Sequence, residues 1–300
     1  MSTTLNEAPR AALRRLMAEP ALTVLPGVFD ALSATLVERS GFPGAYMSGA
    51  AVAMTLGGVP DLGLLTMTEM ATQAGRLAGV LSGPLVADAD TGFGNALNVQ
   101  RTVVEYERAG VAGLHIEDQT YPKRCGHLSG KTVIPTGEFV EKIRAAVEAR
   151  TDGDLVLIAR TDARGPLGFA EAIHRANTYL QAGADLIFVE APQTIEEISS
   201  IPTEVEGPVM FNIVENGSSP HVRIEDLAAW GYRLAIRPLA LIAPVVRATI
   251  GALAELDPPS PLEGVISTPA DLFETVGLAE WLEVGGRFGA ETPGTGGPAD

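Results

Sequence analysis

Cysteine is almost absent from this chain, which has one such residue among its 300. A single cysteine excludes an internal disulfide, and this usage is typical of a reducing compartment. The first residues lack a cationic start followed by an apolar core, and no uninterrupted apolar segment approaches membrane-spanning length. We therefore expect a cytoplasmic protein with no membrane partner.

Positive charge is also scarce, because 21 lysines and arginines stand against 37 acidic residues, for a formal net charge of −16. This balance argues against nucleic acid or an anionic membrane surface as a partner. A protein of this charge that binds a small anion must concentrate its cations locally or bind a metal ion. Lys123, Arg124, His127 and Arg160 are the candidate local cations.

The single cysteine lies in a charged segment, Lys123-Arg124-Cys125-Gly126-His127. Neighbouring positive charge lowers the pKa of a thiol, so this segment predicts an accessible thiolate near neutral pH. The alternative is a small buried apolar residue, which is the commoner role of a lone cysteine. A loop rich in proline, lysine, arginine and glycine is an unusual place for a buried residue, so we favour a catalytic Cys125 supported by His127.

Short apolar runs alternate with amphipathic stretches along the chain. This alternation predicts right-handed crossovers and a parallel sheet, and eight repeats are the number that closes a barrel. The predicted fold class is therefore α/β, a (β/α)8 TIM-type barrel. The predicted strands are Leu22–Pro26, Ala45–Ser48, Pro84–Asp88, Gly113–Glu117, Leu155–Arg160, Asp185–Glu190, Pro208–Asn212 and Leu234–Ile236.

Polar residues collect at or just past the carboxyl ends of these predicted strands. A TIM barrel builds its site on that face, so such residues are candidate site residues. Strand ends are also where polar residues ordinarily begin, but this hardly explains an arginine and glutamates after apolar runs. The residues concerned are Ser48, Asp88, Asp90, His115, Glu117, Arg160, Glu190, Asn212 and Pro238.

A proline-rich break at 257–261 divides the chain into unequal parts. We predict a barrel over 1–257, a helical extension over 258–284 and a disordered tail, rich in glycine and proline, over 285–300. The extension carries apolar residues but no barrel strand. We therefore expect it to pack on something outside its own barrel.

Carboxylates dominate the candidate site. Asp88 and Asp90 lie two positions apart before a glycine-containing turn, and both can reach one cation. With Asp61 and Glu117 they make four carboxylates with no neutralising base inside these motifs, which favours an octahedral Mg²⁺ held partly through water. A zinc site is disfavoured, since one cysteine and scattered histidines do not form a tetrahedral set. The alternatives are a turn role for Asp90 and a cap role for Asp61.

Several of these segments together resemble the isocitrate lyase / phosphoenolpyruvate mutase superfamily, in its methylisocitrate lyase / 2,3-dimethylmalate lyase-like branch. The resemblance covers about residues 10 to 256, and the combination of segments in one order is specific where each alone is not. The segments are 60–63, 86–94, 115–118, 123–127, 159–162 and 189–190.

The resemblance implies a Mg²⁺-dependent carbon–carbon lyase, with Mn²⁺ as a substitute, acting on a small di- or tricarboxylate. It implies that Asp88 binds the metal directly, and that Asp61, Asp90 and Glu117 bind it through water. Tyr46 is the candidate base, its alternative being a core aromatic residue, and Cys125 is the candidate acid. The other predicted substrate-binding or catalytic residues are Ser48, Gly49, Ala50, His115, Arg124, Gly126, His127, Arg160, Glu190, Asn212 and Pro238.

The resemblance also implies a homodimer or homotetramer in which C-terminal helices are exchanged between subunits. In two places the sequence departs from methylisocitrate lyases. Val214 replaces a hydroxyl residue, and 240–243 lack an arginine. A tricarboxylate needs polar partners for its extra carboxylate, so these changes favour an alkylated malate such as 2,3-dimethylmalate, unless Arg237 points inward.

Three other functions stay open at this point. The first is a phosphonomutase resembling carboxyphosphonoenolpyruvate mutase, and the second is oxaloacetate hydrolysis or decarboxylation. The third is a catalytically silent barrel used for binding or assembly. Tyr46 favours the lyase over the mutase, because the lyase branch carries tyrosine at this place.

Overall fold

Eight parallel strands form a closed barrel in the computed structural model, which describes residues 8–128, 130–255, 274 and 276–287. Each strand pairs with the next along the chain, and β1 pairs with β8. The strands are β1 Thr23–Val28, β2 Ala45–Met47, β3 Leu85–Asp88, β4 Gly113–Glu117, β5 Val156–Thr161, β6 Leu186–Val189, β7 Val209–Asn212 and β8 Leu234–Arg237. The predicted (β/α)8 barrel is confirmed.

Helices follow the strands, as the alternation in the sequence predicts. Polar caps set where several of them begin: Asp30 accepts the amide of Ser33 at 2.7 Å, and Thr66 and Glu69 form a capping box. The helices are α1 Pro9–Ala18, α2 Ala31–Arg39, α3 Gly49–Val52, α4 Met67–Ala78, α5 Ala96–Arg108, α6 Thr136–Ala149, α7 Arg164–Leu167, α8 Phe169–Gln181, α9 Ile195–Glu204, α10 Ile224–Trp230, α11 Ile242–Glu255 and α12 Leu278–Arg287, with a π-helical turn at Ala53–Gly57.

Two apolar clusters hold the barrel together. The larger one lies between the strands and the surrounding helices. The smaller one combines inward-facing strand residues with Leu13 and Met17 of α1. Helix α1 is tied down by Arg10, which donates to the carbonyl of Val111 at 3.0 Å, and by Arg14, which pairs with Asp185 at 2.8 Å. Because α1 adds its side chains to the interior cluster, it covers one end of the barrel. The other end, where the strands have their carboxyl ends, forms the open mouth.

The chain divides into two compact units, Met1–Pro244 and Val245–Asp300. Most of the predicted extension over 258–284 lies outside the described residues, so its exchange between subunits stays a prediction. Helix α12 continues to Arg287, into the segment predicted to be disordered from residue 285, and residues 288–300 are again outside the described part. None of the helices within the described residues has the length and apolar character needed to span a membrane.

Candidate active site at the barrel mouth

The mouth of the barrel collects the polar residues that the sequence places at strand ends. Tyr46, Ser48, Asp88, Asp90, His115, Glu117, Arg160, Glu190 and Asn212 are all buried there. Buried charges are costly unless they are paired or bind an ion, so this collection indicates a site rather than ordinary loop polarity. Pro238 is buried as well, where its backbone packs so closely on Gly27 of β1 that a side chain at Gly27 would collide with it.

The cysteine segment lies over this mouth. The amide of Cys125 donates to the carbonyl of Asp61 at 3.1 Å, and His127 Nε2 lies 3.1 Å from Glu190 Oε1. Gly126 packs so closely on the barrel that an added Cβ would collide with the guanidinium of Arg160 and lie 2.6 Å from side-chain carbons of Glu190. The glycine is therefore what allows the segment to reach Arg160.

Lys123 has a role that differs from the one expected for it. Its ammonium group contacts Asp61 and lies 2.9 Å from Asp90 Oδ1, so it neutralises carboxylates and is not free for a substrate. Burial by itself would lower the pKa of Lys123, but Asp90, Asp88 and Asp61 hold that pKa well above its usual value. No neutralising base lies inside the motifs that carry the four carboxylates, but Lys123 supplies one from another motif.

The expected effect of the loop cations on Cys125 is also wrong. Burial, together with the negative charge of Asp61, raises the pKa of the Cys125 thiol. Lys123 is engaged by carboxylates, and Arg124 is exposed with its guanidinium beside Gly130. Neither cation stabilises a thiolate, so Cys125 is a protonated thiol at neutral pH, the state that a proton donor requires.

Tyr46, Asp88 and His115 form a buried group on β2, β3 and β4. The Tyr46 hydroxyl lies 2.8 Å from His115 Nε2 and donates to Asp88 Oδ2 at 3.4 Å. Burial lowers the pKa of His115 to about 4, so the imidazole is neutral at pH 7. Burial and the charge of Asp88 raise the pKa of Tyr46 well above its usual value. The arrangement of these residues alone does not make the phenol a base, and added positive charge would be needed.

Arg160 is a buried cation surrounded by carboxylates. Its Nε lies 3.2 Å from Glu117 Oε2 and 2.9 Å from Asp162 Oδ2, and its Nη2 lies 3.5 Å from Glu190 Oε2. The guanidinium also stacks over Phe188 at 5.1 Å from the ring centroid. This side chain is fixed in place, as expected of a group that binds a carboxylate.

The fit of these residues to a metal ion can be judged from their partners. Both carboxylate oxygens of Glu117 are buried without a hydrogen-bond partner, and burial raises the pKa of this residue well above its usual value. Burial also raises the pKa of Asp90 to about 6, although Lys123 lies beside it. No three His, Cys, Asp or Glu side chains within the described residues are close enough to ligate an ion jointly. Lys123 and Arg160 thus compensate the acidic groups of the site only in part, which suits an ion held partly through water.

Ser48, Gly49 and Ala50 lie where β2 passes into α3. Ser48 Oγ accepts the amide of Ala51 at 3.3 Å, which caps the helix. Gly49 lies against Asp88, and an added Cβ there would collide with Asp88 Oδ2. The absence of a side chain at Gly49 thus keeps space around the carboxylate that the sequence marks as the metal ligand.

Some predicted residues do not join the buried group. Arg124 is exposed, as noted, and Arg237 pairs with Glu215, with the two side chains 40% and 44% exposed. Asp162 and Lys131 belong to the group but were missed by sequence reasoning. The available signal was the segment 159–162, where Asp162 follows Arg160 by two positions on an extended strand.

Fold and site together define a class: a TIM-barrel enzyme with a buried acidic mouth and a cysteine loop lying over it. The family model described as phosphoenolpyruvate phosphomutase matches residues 13–256. The chain belongs to this family, within the PEP mutase/isocitrate lyase superfamily. The resemblance inferred from the sequence, and with it the class of lyase, is confirmed.

Two named lyases are similar to this chain over most of their length. A 2,3-dimethylmalate lyase of Eubacterium barkeri is 42% identical over 277 residues, covering 91% of this chain and 96% of that one. A 2-methylisocitrate lyase of Aeropyrum pernix is 43% identical over 250 residues, covering 83% of this chain and 80% of that one.

Solved structures share the fold over nearly the whole chain at somewhat lower identity. A 2,3-dimethylmalate lyase has a TM-score of 0.91 at 37% identity, covering 98% of this chain and 99% of that one. An oxaloacetate acetylhydrolase bound to 3,3-difluorooxalacetate has a TM-score of 0.90 at 38% identity, covering 95% and 98%. A phosphonopyruvate hydrolase in complex with oxalate and Mg²⁺ has a TM-score of 0.84 at 31% identity, covering 94% and 99%.

Proposed function

We propose that this protein is a Mg²⁺-dependent lyase that cleaves an alkyl-substituted malate, of the 2,3-dimethylmalate type, to pyruvate and a carboxylic acid. The observation that carries the proposal is a buried phenol and a partly buried thiol at the same barrel mouth. Tyr46 lies within reach of Asp88, and Cys125 is on the loop over Arg160. Retro-aldol cleavage needs one group to take a proton and another to give one back.

The proposed metal site consists of Asp88 as the direct ligand, with Asp61, Asp90 and Glu117 holding the ion through water. The oxygens of Glu117, which accept no hydrogen bond although Arg160 lies 3.2 Å away, and the raised pKa of Asp90 support this arrangement. A bound ion would supply positive charge to the site, which would favour loss of the proton of the substrate hydroxyl and would offset the effect of burial on the pKa of Tyr46.

The chain's own residues then divide the work. Arg160 binds a substrate carboxylate, and Tyr46 takes the proton of the C2 hydroxyl. The C2–C3 bond breaks, its electron pair moves into the departing carboxylate, and C2 becomes the carbonyl carbon of pyruvate. The Cys125 thiol gives its proton to C3. Glu190, His127 and Asn212 hold the cysteine loop and the pocket together, since Asn212 donates to Glu190 at 3.1 Å.

The pairing of Arg237 with Glu215 supports a dicarboxylate substrate. A tricarboxylate would need a cation or hydroxyl for its third carboxylate, because an unpaired buried charge is costly. Position 214 is valine, positions 240–243 are apolar, and Arg237 is paired with Glu215. These features favour a substrate with an alkyl group, and not a carboxymethyl group, on C3.

A second candidate is hydrolysis of oxaloacetate, which the similarity to oxaloacetate acetylhydrolase favours. The two are separated by assaying pyruvate and oxalate release over 2,3-dimethylmalate, other alkylated malates, 2-methylisocitrate and oxaloacetate, with Mg²⁺, with Mn²⁺ and with chelator. We expect pyruvate from an alkylated malate and no turnover with chelator. Oxalate from oxaloacetate without pyruvate from any malate would establish the second candidate. No product from any of these substrates would refute both candidates.

A further inference from the structure

Lysine is used sparingly in this chain: the sequence contains Lys123, Lys131 and Lys142, and all other side-chain cations except histidine are arginines. The side chains of Lys123 and Lys131 are 2% and 6% exposed, and Lys142 is 4% exposed. Buried ammonium groups are rare and costly unless paired. Lys123 pairs with the acidic site and Lys142 donates to the carbonyl of Thr91 at 3.1 Å. Lys131 has no part in the chemistry proposed above.

Lys131 joins the cysteine loop to the barrel. Its Nζ lies 2.8 Å from Asp162 Oδ1, just past the end of β5, and also donates to the backbone carbonyl of Gly126. Gly126 is the residue after Cys125 and packs directly on Arg160. One ammonium group therefore contacts both the loop that carries the thiol and the strand end that carries the arginine.

Asp162 is a rigid anchor for this contact. Its amide donates to Asp118 Oδ1 at 2.8 Å, and Asp118 Oδ2 in turn accepts from Thr161 Oγ1 at 2.8 Å and from Tyr179 at 2.9 Å. The Asp162 carboxylate accepts from Arg160 Nε at 2.9 Å and Nη2 at 3.1 Å. Burial by itself would raise the pKa of Asp162, but Arg160 and Lys131 hold it below its usual value, so the group is ionised.

We infer that Lys131 is a positioning residue, which fixes the Cys125 loop against Arg160 by bridging the Gly126 carbonyl and Asp162. The inference rests on the proposed function for the role of Cys125. It concerns the placement of the thiol, because Arg160 keeps its own two hydrogen bonds to Asp162 when Lys131 is absent. Loss of Lys131 should therefore affect proton donation more than substrate binding.

The single cysteine makes this measurable without turnover. The rate of Cys125 alkylation by iodoacetamide is compared with that of the same variant unfolded in urea, with and without Mg²⁺ and oxalate. We expect Lys131→Met to react about 10-fold faster than the wild type in the folded state, and to lose about 10²-fold in kcat with KM changed by less than about 3-fold. Removing a cation disfavours the thiolate, so a faster reaction reports exposure of the thiol and not a lowered pKa.

Two further variants make the test specific. Lys131→Arg can reach both acceptors and should return the alkylation rate to within about 3-fold of the wild type. Arg164→Met removes another partly buried ion pair after β5, to Glu197 at 2.7 Å, which does not involve the loop, and should leave the rate unchanged. An unchanged rate in Lys131→Met, or an equal increase in Arg164→Met, would overturn the inference. Absence of pyruvate from every malate would refute the proposed function and leave the alkylation result intact.

Discussion

Replacing Gly126 by alanine tests the closed position of the cysteine loop most directly. The added methyl would collide with Arg160 and lie 2.6 Å from side-chain carbons of Glu190. Ordinary carbon contacts are about 3.5–4.0 Å, so the loop must withdraw by roughly 1 Å. Misplacement of that size costs about 10²-fold in rate, or about 2.7 kcal/mol of transition-state stabilisation. Stability should hold, since Gly126 is not among the residues with positive φ and alanine suits such a backbone.

The assay is kcat and KM for the best substrate, together with Cys125 alkylation and thermal unfolding. Gly137→Ala is the matched control, because the same methyl meets nothing within 4 Å there and Gly137 lies in the first turn of α6. We expect Gly126→Ala to unfold near the wild-type temperature, to lose kcat and to expose the thiol. Near wild-type turnover in Gly126→Ala would show that Gly126 need not approach Arg160, and the reasoning would fail.

Four other predictions concern the site itself. Cys125→Ser should fold normally and bind Mg²⁺ and product, yet lose about 10²–10⁴-fold in turnover, the contribution of a general acid. In the wild type, the rate of Cys125 alkylation should rise with pH around a midpoint above that of the same cysteine in the unfolded chain, because burial raises the pKa of the thiol. Gly49→Ala should weaken Mg²⁺ binding measured by calorimetry, since its methyl would displace Asp88. Tyr46→Phe should keep Mg²⁺ affinity while slowing cleavage.

Each of these predictions would be contradicted by a specific result. Near wild-type rates in both Cys125→Ser and Tyr46→Phe would count against the lyase chemistry and favour a phosphonomutase. An alkylation midpoint at or below the unfolded value would contradict the burial of the thiol. Unchanged Mg²⁺ affinity in Gly49→Ala would argue that Asp88 is not the direct ligand.

The sequence by itself determined the barrel and pointed to most of the polar residues at its mouth. Its alternation of apolar runs placed all eight strands within two residues of their observed ends. Strand periodicity is a local property, so it can be read without knowing what packs against each strand. Polar residues at strand ends were predicted to meet for a related reason: in a parallel barrel all carboxyl ends lie on one face.

Only the tertiary structure decided how the charges of the site are paired. Lys123 was expected to serve the substrate, but it neutralises Asp61, which lies far from it in sequence. Burial reverses the expected direction of the pKa of Cys125, and Lys131 meets Asp162 across a gap of 31 positions. Pairing and burial depend on the three-dimensional neighbours of a group, and the strength of an electrostatic interaction depends on pairing and burial. The sequence could therefore list charged residues of the site but could not assign their partners.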